Sequence, residues 1–293
     1  MAPLGELLAL LNGDRRSSTP VLAYFGHHKC ASSWLSDITR EIAAAAGLTY
    51  AHVHNPRMFG GDLRSYLADN RVGFLAYVNA SGSVVSALDD YRGFHVIRDP
   101  RDIVVSSYFS HLYSHPTTDW PELVDHRRQL IAVDKERAMY LVIDFLEGVF
   151  EDLAGWEYSN PRVLELKMED VVRAPEVTLL SAFEFLGLVD VDRTGLPVQL
   201  AAAVSSVKVR RPWLMPFRVV PLPASVVTRT LKRNAFAVKA DGRTPGVENV
   251  SSHYRKGISG DWANHFSAGH KDYFKARYGD LLVMLGYESD RDW

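Results

Sequence analysis

Several features by which proteins are commonly classified are scarce in this sequence. Its 293 residues include a single cysteine, Cys30, so no disulfide can form within the chain. A chain of this length buries roughly 75% of the surface that its unfolded form exposes, so it needs neither a disulfide nor a structural metal to fold. One cysteine fits a reducing compartment, and we expect a cytoplasmic protein.

Long apolar runs and an N-terminal leader are also missing. No stretch reaches the roughly 18 consecutive apolar residues that a membrane-spanning helix requires. The apolar run Leu4–Leu11 is short, contains Glu6 and follows no basic residue, which favours a small helix over a signal peptide. We therefore expect no transmembrane segment.

Charge of one sign is not in excess either. The 33 basic and 35 acidic side chains give a formal net charge of −2. Bulk positive charge therefore cannot hold a nucleic acid, and we expect no nucleic-acid partner. A site for a polyanion has to be built from a few well-placed lysines and arginines. No internal repeat divides the chain, so we expect one globular domain over residues 1–293.

Extended and helical patterns alternate along much of the sequence. This order predicts an α/β fold with a central, mostly parallel sheet flanked by helices. The predicted strands cover residues 21–25, 48–54, 94–98 and 163–168, and the predicted helices cover residues 34–46, 103–112 and 175–186.

The segment 205–250 does not follow this alternation. Its many apolar residues are interrupted by prolines, which break helices. We therefore predict a loop-rich cap without a helix. The prolines are Pro212, Pro216, Pro221, Pro223 and Pro245.

The turn after the first predicted strand, residues 26–34, is suited to a phosphate group. It leads into a helix, whose free N–H groups and dipole favour an anion at this end. Lys29 adds a positive charge, Ser32 and Ser33 add hydroxyl donors, and the small Ala31 lets the backbone approach closely. The spacing is not that of a Walker A loop. The alternative is an ordinary strand-to-helix turn with a serine N-cap.

A second strand-to-helix turn follows Arg98. Asp99 is suited to cap the helix, Pro100 to its first position, and Asp102 to the acidic position of a capping box. Arg98, at the carboxyl end of the strand, and Ser106, one turn beyond Asp102, form a second candidate anion site. The alternative is an Arg98–Asp102 ion pair that only braces the helix.

Three segments, residues 29–34, 98–106 and 255–262, resemble the signature segments of sulfotransferases that use PAPS, 3′-phosphoadenosine-5′-phosphosulfate. The order and separation of the segments agree with that family, and the resemblance extends from about Val21 to about Tyr287. It implies the P-loop nucleotide-kinase-like architecture of the cytosolic-type sulfotransferases. The nucleotide-binding core would comprise residues 21–204 and 251–287, with residues 205–250 as an acceptor-side cap.

The resemblance also implies roles for individual residues. Lys29 would contact the bridging oxygen of the donor, and Arg98 and Arg255 would contact its 3′-phosphate. Trp34 would lie near the adenine. Residues 204–207 resemble the family's adenine-side segment, which would place Ser206 beside the nucleotide. The residues implied in donor binding are Lys29, Cys30, Ala31, Ser32, Ser33, Trp34, Arg98, Ser106, Ser206, Arg255, Lys256 and Gly257.

The sequence departs from the family pattern at several points. Cys30 and Ala31 replace a serine and a glycine, both conservative in size. The acceptor-side histidine is missing upstream of Arg98, so the general base is unassigned. A dimerisation segment is not recognisable, which leaves the oligomeric state open. The candidate bases are His54, Asp89, His111 and His115.

The resulting hypothesis is transfer of a sulfuryl group from PAPS to a hydroxyl or amine of a small-molecule or lipid acceptor, with release of PAP and without a metal. The alternatives are a small-molecule kinase that uses ATP and magnesium, and a PAP-binding protein without activity. The stretch Arg210–Phe217 suggests either a lid over the acceptor or peripheral contact with a membrane surface. A packed, inert loop is the third alternative for this stretch.

Overall fold

The computed structural model describes residues 20–118, 120–191, 203–204, 207 and 220–293. The chain separates into two compact units. The first unit comprises Met1–His27, Ala31–Val96 and Glu157–Ala235, and the second comprises His28–Cys30, Ile97–Trp156 and Phe236–Trp293.

The first unit contains a five-stranded sheet with the order β2-β3-β1-β4-β5. Its central strand β1 pairs in parallel with β3 and β4, and β2 pairs in parallel with β3. Leu22 lies opposite Phe74 of β3, and Val21 lies opposite Tyr91 of β4. The strands are β1 (Val21–Gly26), β2 (Tyr50–Val53), β3 (Phe74–Val78), β4 (Tyr91–Ile97) and β5 (Val163–Lys167).

Within the described part of the first unit, six helices have both ends defined. A short parallel pair, β6 (Val189–Asp190) and β7 (Leu222–Pro223), accompanies them. The helices are α1 (Ser32–Ala46), α2 (Leu63–Asp69), α3 (Gly82–Ser86), α8 (Met168–Arg173), α9 (Pro175–Phe185) and α10 (Ala224–Arg233), and a 3₁₀ turn covers Pro56–Phe59.

Helix α1 shows why the sequence folds in this way. Leu35, Ile38 and Ile42 recur at helical spacing, and all three are buried in the core of the first unit. The helix ends before Gly47, whose φ of 74° is the left-handed conformation that glycine adopts readily. The predicted apolar face and the predicted end of this helix are both confirmed.

The core of the first unit joins the sheet to its helices. Tyr24 of β1 stacks on Phe94 of β4 at 5.2 Å between ring centroids, and Phe94 meets the edge of Phe183 of α9 at 6.0 Å. Full burial of side chains of this size stabilises a fold by about 1.5–3 kcal/mol each. The packing fixes β1 and β4, the two strands that precede the candidate anion sites.

The second unit is mainly helical. Helix α4 continues from β4, and a π-helical turn at Ser110–Ser114 follows it. Phe150 of α7 meets the edge of Phe274 of α12 at 5.7 Å in the core of this unit. Its helices are α4 (Pro100–Phe109), α5 (Pro121–Ile131), α6 (Lys135–Phe145), α7 (Glu147–Ala154), α11 (Phe236–Lys239) and α12 (Ala268–Met284), and a 3₁₀ turn covers Asp261–Asn264.

The α/β class with a mostly parallel sheet flanked by helices is confirmed. The expectation of no helix in residues 205–250 is wrong, because α10 and α11 both lie there. Pro223 is the N-cap of α10, and the sequence contains no proline between Pro223 and Pro245, so a ten-residue helix fits between them. The prolines bound this segment without interrupting its middle.

Some expectations fall outside the residues that the structure describes. They are the short helix at Leu4–Leu11, the role of Ser206 and the lid or membrane contact at Arg210–Phe217. Across the described residues, none of the helices combines the length and the apolar character that crossing a bilayer demands.

Candidate functional site

The loop between β1 and α1 has an unusual backbone. Lys29 and Ala31 both have positive φ, 62° and 58°, which side chains with a Cβ adopt at a cost. Ala31 is the N-cap of α1, and it makes no side-chain hydrogen bond to the helix. The Ser32 hydroxyl instead donates to the His27 carbonyl at 2.8 Å, and Ser33 is exposed. The alternative of a serine N-cap is therefore wrong, and the first turn of α1 has no side-chain cap.

Lys29 lies among positive charges in the second unit. Arg98 Nη1 donates to the Lys29 carbonyl oxygen at 3.1 Å. Burial lowers the pKa of the Lys29 ammonium, and the cations Arg98 and Arg255 lower it further, to about 7. Within the part of the chain that the structure describes, the ammonium makes no ion pair. Lys29 is therefore a half-buried amine that only an added negative charge would hold firmly protonated.

The start of α4 positions Arg98. Asp99 caps the helix by accepting from the Arg101 N–H at 2.9 Å, and Pro100 opens it, as the sequence predicts. Arg98 is 7% exposed and lies 3.8 Å from the carboxylate of Asp102. At that separation the ion pair is loose, so the guanidinium is not committed to bracing the helix.

The capping-box role predicted for Asp102 is wrong. Its carboxylate accepts from the backbone N–H of Gly260 at 2.7 Å and of Trp262 at 2.9 Å. Burial raises the pKa of this carboxyl, while Arg98 and the two N–H groups oppose the rise. Asp102 thus connects α4 to the loop of the third signature segment, a contact that residues 158 and 160 positions apart do not reveal in a sequence.

The basic residues of the third segment converge on Asp261. Arg255 Nη2 contacts this carboxylate at 2.5 Å and Lys256 Nζ contacts it at 2.6 Å. Burial opposes ionisation of Asp261, but the hydrogen bonds from Lys256 and Arg255 prevail and hold the pKa of this carboxyl well below its usual range. Arg255 also pairs with Glu248. The loop is therefore held by charge-assisted bonds that fix Arg255 near Lys29.

Gly257 is required by two features of this loop. Its φ is 66°, and a Cβ built there would lie 2.4 Å from the ring of Phe236. A side chain at this position would displace either the loop or α11. The glycine of the third segment is therefore needed for backbone shape.

The other residues implied in donor binding are distributed as follows. Ser106 is half-buried on α4. Trp34 is half-buried on α1, and its indole N–H donates to the Asn234 carbonyl at 2.7 Å. Cys30 is buried, and its thiol lies 3.7 Å from the His28 carbonyl. These contacts fix the side chains of Trp34 and Cys30.

The structure separates the four candidate bases. His54 and Asp89 are exposed in the first unit, where Asp89 pairs with Arg64. His111 and His115 both lie in the second unit, on or just after the π-helical turn. Electrostatic coupling to Lys29 lowers the pKa of both imidazoles, after the larger effect of burial.

His111 and His115 belong to an aromatic cluster that the sequence analysis missed. His28 Nε2 lies 3.1 Å from His111 Nε2, and the rings of His28 and His115 are 5.5 Å apart. The indole of Trp120 packs against all three imidazoles at 5.2–5.5 Å. His253 is coupled electrostatically to His28 and to Lys29. We call His28, His111, His115 and His253 the histidine cluster.

A second polar network in the first unit was also missed. His27 Nε2 lies 2.7 Å from His95 Nε2, and His95 Nδ1 lies 2.6 Å from the carboxylate of Glu165. Burial lowers the pKa of His95 to about 3, so its neutral form donates to Glu165. The network holds the side chain of His27, whose carbonyl accepts from the Ser32 hydroxyl. No local pattern in β4 or β5 indicates this contact, because it depends on which strands are neighbours in the sheet.

One group of metal-ligand type occurs among the described residues. Ligand atoms of Glu248, Asp261 and His265 lie within 4.8 Å of one another. Because Arg255 and Lys256 already contact the Asp261 carboxylate, this arrangement is that of an ion-pair network rather than of a cation site.

Comparisons with known proteins address the fold. No protein-family model and no curated protein matches the sequence. A solved structure of a mouse sulfotransferase complexed with PAP matches with a TM-score of 0.54 at 15% identity, covering 94% of this chain and 89% of that one. A retinol dehydratase complexed with androsterone and the inactive cofactor PAP matches with a TM-score of 0.49 at 14% identity, covering 96% and 85%. The chain has the sulfotransferase fold, as the three signature segments imply.

Proposed function

We propose that the protein is a PAPS-dependent sulfotransferase that transfers a sulfuryl group to a hydroxyl or amine of a small-molecule or lipid acceptor and releases PAP. The observation that carries the proposal is the convergence of Lys29 with Arg98 and Arg255 in the second unit. These are the residues to which the three signature segments independently assign the phosphate groups of the donor.

The electrostatics of this cluster favour an anionic ligand. Like charges disfavour the protonated form of Lys29, and two of them lower its pKa to about 7 after burial has acted. A phosphate or phosphosulfate beside Lys29 would reverse this effect. The positive φ of Lys29 and Ala31 is typical of backbone nests that bind anions, and the uncapped start of α1 offers further N–H donors. These residues therefore fit PAPS.

Each residue has a distinct task in the proposed reaction. PAPS supplies the activated sulfuryl group. Lys29 would stabilise the negative charge that develops on the leaving phosphate oxygen. Arg98 and Arg255 would hold the 3′-phosphate, and their fixed positions would orient the donor for in-line attack. Ser32, Ser33 and the N–H groups that begin α1 would hold the 5′-phosphate.

A kinase that uses ATP and magnesium is less well supported. Such an enzyme holds the metal through carboxylates near the phosphate cradle. Among the described residues, the buried carboxylates that pair with Arg98 and Arg255 are Asp102 and Asp261. The first accepts from two backbone N–H groups, and the second is paired with Arg255 and Lys256. Both therefore have partners other than a metal.

A thermal-shift comparison tests the choice of nucleotide. We expect PAP to raise the melting temperature without magnesium, and to do so more than AMP, which lacks the 3′-phosphate. Stabilisation by ATP with magnesium and not by PAP would contradict the proposal.

Substitution of Arg98 tests the assignment of the 3′-phosphate. In Arg98→Ala the affinity ratio of PAP to AMP should fall by about 10–100-fold, which corresponds to about 1.5–3 kcal/mol for a hydrogen-bonded charge. The affinity ratio of Arg98→Lys should lie between those of the wild type and Arg98→Ala, because lysine keeps the charge but loses the planar fork of the guanidinium. An equal loss of affinity for both nucleotides would mean that Arg98 only supports the fold.

A further inference from the structure

The proposed transfer releases a proton from the acceptor, and the surroundings of Lys29 contain groups that could take it. A positioned base contributes about 10²–10⁴-fold to the rate of such a reaction. Within the second unit the residue adjacent to Lys29 in the chain is His28, and its imidazole is coupled to the Lys29 ammonium and to His115 and His253. His28 is half-buried, whereas its neighbour His111 is fully buried.

The contact between His28 and His111 fixes the orientation of the His28 ring. Their Nε2 atoms lie 3.1 Å apart, a hydrogen-bond distance, so one proton is shared between the two rings. Since Nε2 of His28 is engaged by His111, Nδ1 is the atom through which His28 can accept a proton. Trp120 packs on both rings, nearly perpendicular to each, and fixes their planes.

The segment that carries His111 is itself firmly held. His111 lies on the π-helical turn after α4, and such turns recur at functional sites. Arg127 of α5 donates through Nε to the His111 carbonyl and through Nη2 to the His115 carbonyl, the latter at 2.7 Å. His111 Nδ1 is buried and has no hydrogen-bond partner among the described residues. Within the described residues, the hydrogen bond of the buried His111 ring is therefore the one to His28.

The protonation states suit a base. Burial lowers the pKa of His28 well below its ordinary value, and Lys29, His115 and His253 lower it further. Burial also lowers the pKa of His111, and the neighbouring histidines and Lys29 add to this effect. Both rings are therefore neutral at pH 7, and one of them can accept a proton as charge develops.

The remaining histidines of the cluster are less well placed. His115 Nδ1 lies 2.8 Å from the Pro116 carbonyl, so that nitrogen carries the proton and Nε2 is the basic atom, but a backbone carbonyl and not a second imidazole orients this ring. His253 is exposed, and its ring meets the edge of the Tyr254 ring at 5.3 Å, but no hydrogen bond within the described residues orients it as His111 orients His28. Among the described histidines, His28 is the one whose ring is hydrogen-bonded to a second imidazole and whose neighbour in the chain is Lys29.

On the basis of the proposed function, we propose that His28 is the general base of the transfer and that His111 is its positioning residue. The acceptor oxygen or nitrogen forms a bond to the sulfur of PAPS while the bond from sulfur to the phosphate oxygen breaks. The electron pair of that bond stays on PAP beside Lys29, and the acceptor proton moves to His28 Nδ1. The resulting imidazolium donates its Nε2 proton to His111 Nε2.

The test compares variants of His28 in transfer of labelled sulfate from PAPS. His28→Gln keeps an amide that can donate to His111 but removes the basic nitrogen. We expect its kcat to fall by about 10²–10⁴-fold with alcohol acceptors. The affinity for PAP should change little. The loss should be much smaller with 4-nitrophenol, which ionises without help. A purely structural role would lower transfer to both acceptors equally.

Two further variants complete the design. His111→Phe keeps the ring packing but removes the acceptor for His28, and its kcat should fall by about tenfold or more, with KM less affected. His52→Gln is the matched control, because His52 is also a half-buried histidine with a lowered pKa but lies on β2. Its kcat should equal that of the wild type.

The outcomes separate the two proposals. If the wild type binds PAP but transfers sulfate to no alcohol, phenol or amine, the proposed function itself is wrong and the role of His28 falls with it. If the wild type is active and His28→Gln retains kcat within about threefold, or loses activity equally with alcohols and 4-nitrophenol, only the assignment of the base is overturned. His28→Asn repeats the test should the glutamine variant fold poorly.

Discussion

At the scale of single residues, Lys29 is the side chain of the candidate site whose charge depends most on its neighbours. Its backbone adopts a left-handed conformation, its carbonyl accepts from Arg98, and its ammonium lies in the field of two guanidinium groups. A lysine in such surroundings has a pKa of about 7 and is partly neutral at physiological pH. Because the cause is a surplus of positive charge and burial, binding of an anion restores the ordinary protonation of this amine.

Proton uptake should therefore accompany binding of PAP. At pH 7 about half of the Lys29 side chains are neutral, so binding should take up about half a proton, and more at pH 8 than at pH 6. Isothermal titration calorimetry in buffers of different ionisation enthalpy measures this number. Lys29→Met is the control, because it leaves the titration of PAP itself unchanged. Equal proton uptake by the wild type and Lys29→Met would contradict this assignment of the pKa.

Contiguous residues of the site could be predicted from the sequence, whereas partners remote in sequence could not. Lys29 and Arg98 are found because each follows a strand and precedes a helix. The His28–His111 contact joins residues 83 positions apart, and nothing in either local pattern indicates it. The same holds for the first-unit network of His27, His95 and Glu165, which depends on strand register.

At the scale of secondary-structure elements, Asp102 connects α4 to the end of the third signature segment, where a 3₁₀ turn begins. Its two oxygens accept from the Gly260 and Trp262 N–H groups, and it lies near Arg98. The same segment carries Asp261, which holds Arg255 and Lys256. Asp102 of α4 therefore helps to fix the position of Arg255, because it holds the loop whose Asp261 pairs with Arg255.

Removal of this connection should affect both stability and nucleotide choice. Asp102→Ala leaves two N–H groups without their acceptor and Arg98 without its ion-pair partner, and it should lower the free energy of unfolding by about 1–3 kcal/mol. Asp102→Asn keeps one acceptor oxygen and should lose less. Urea denaturation measures the first effect, and titration with PAP and AMP should show a larger loss for PAP.

The control for Asp102 is an acidic residue whose ion pair is exposed. Asp125 pairs with Arg128 three residues later, and both side chains are more than two-thirds exposed, at 71% and 75%. Asp125→Asn should change the free energy of unfolding by less than about 0.5 kcal/mol. If Asp102→Ala behaves like Asp125→Asn, Asp102 does not hold the third segment.

Elements were predictable where periodicity is strong and were missed where it is not. The apolar face of α1 and the proline start and glycine end of α9 identify those helices. Strand β3 was not predicted, because Phe74–Val78 is buried throughout and its apolar run does not alternate. Helix α10 is not predicted, because the prolines before and after it favour a loop.

At the scale of the whole molecule, the observed fold is the one that the three signature segments imply. The chain matches a PAP-bound sulfotransferase over 94% of its length at 15% identity, which establishes the fold and not the reaction. The reaction is supported by residues: a lysine with a lowered pKa, two arginines beside it, and an uncapped helix start in the same loop. In our proposal, acceptor chemistry depends on the histidine cluster.

The central claim is tested most directly by incubating the purified protein with PAPS labelled in the sulfuryl group and with a panel of alcohols, phenols and amines, without magnesium. We expect a labelled sulfated product and a matching amount of PAP, and Lys29→Met should lower product formation at least about 100-fold. Binding of PAP without any labelled product across the panel, or phosphorylated products formed only with ATP and magnesium, would contradict this claim.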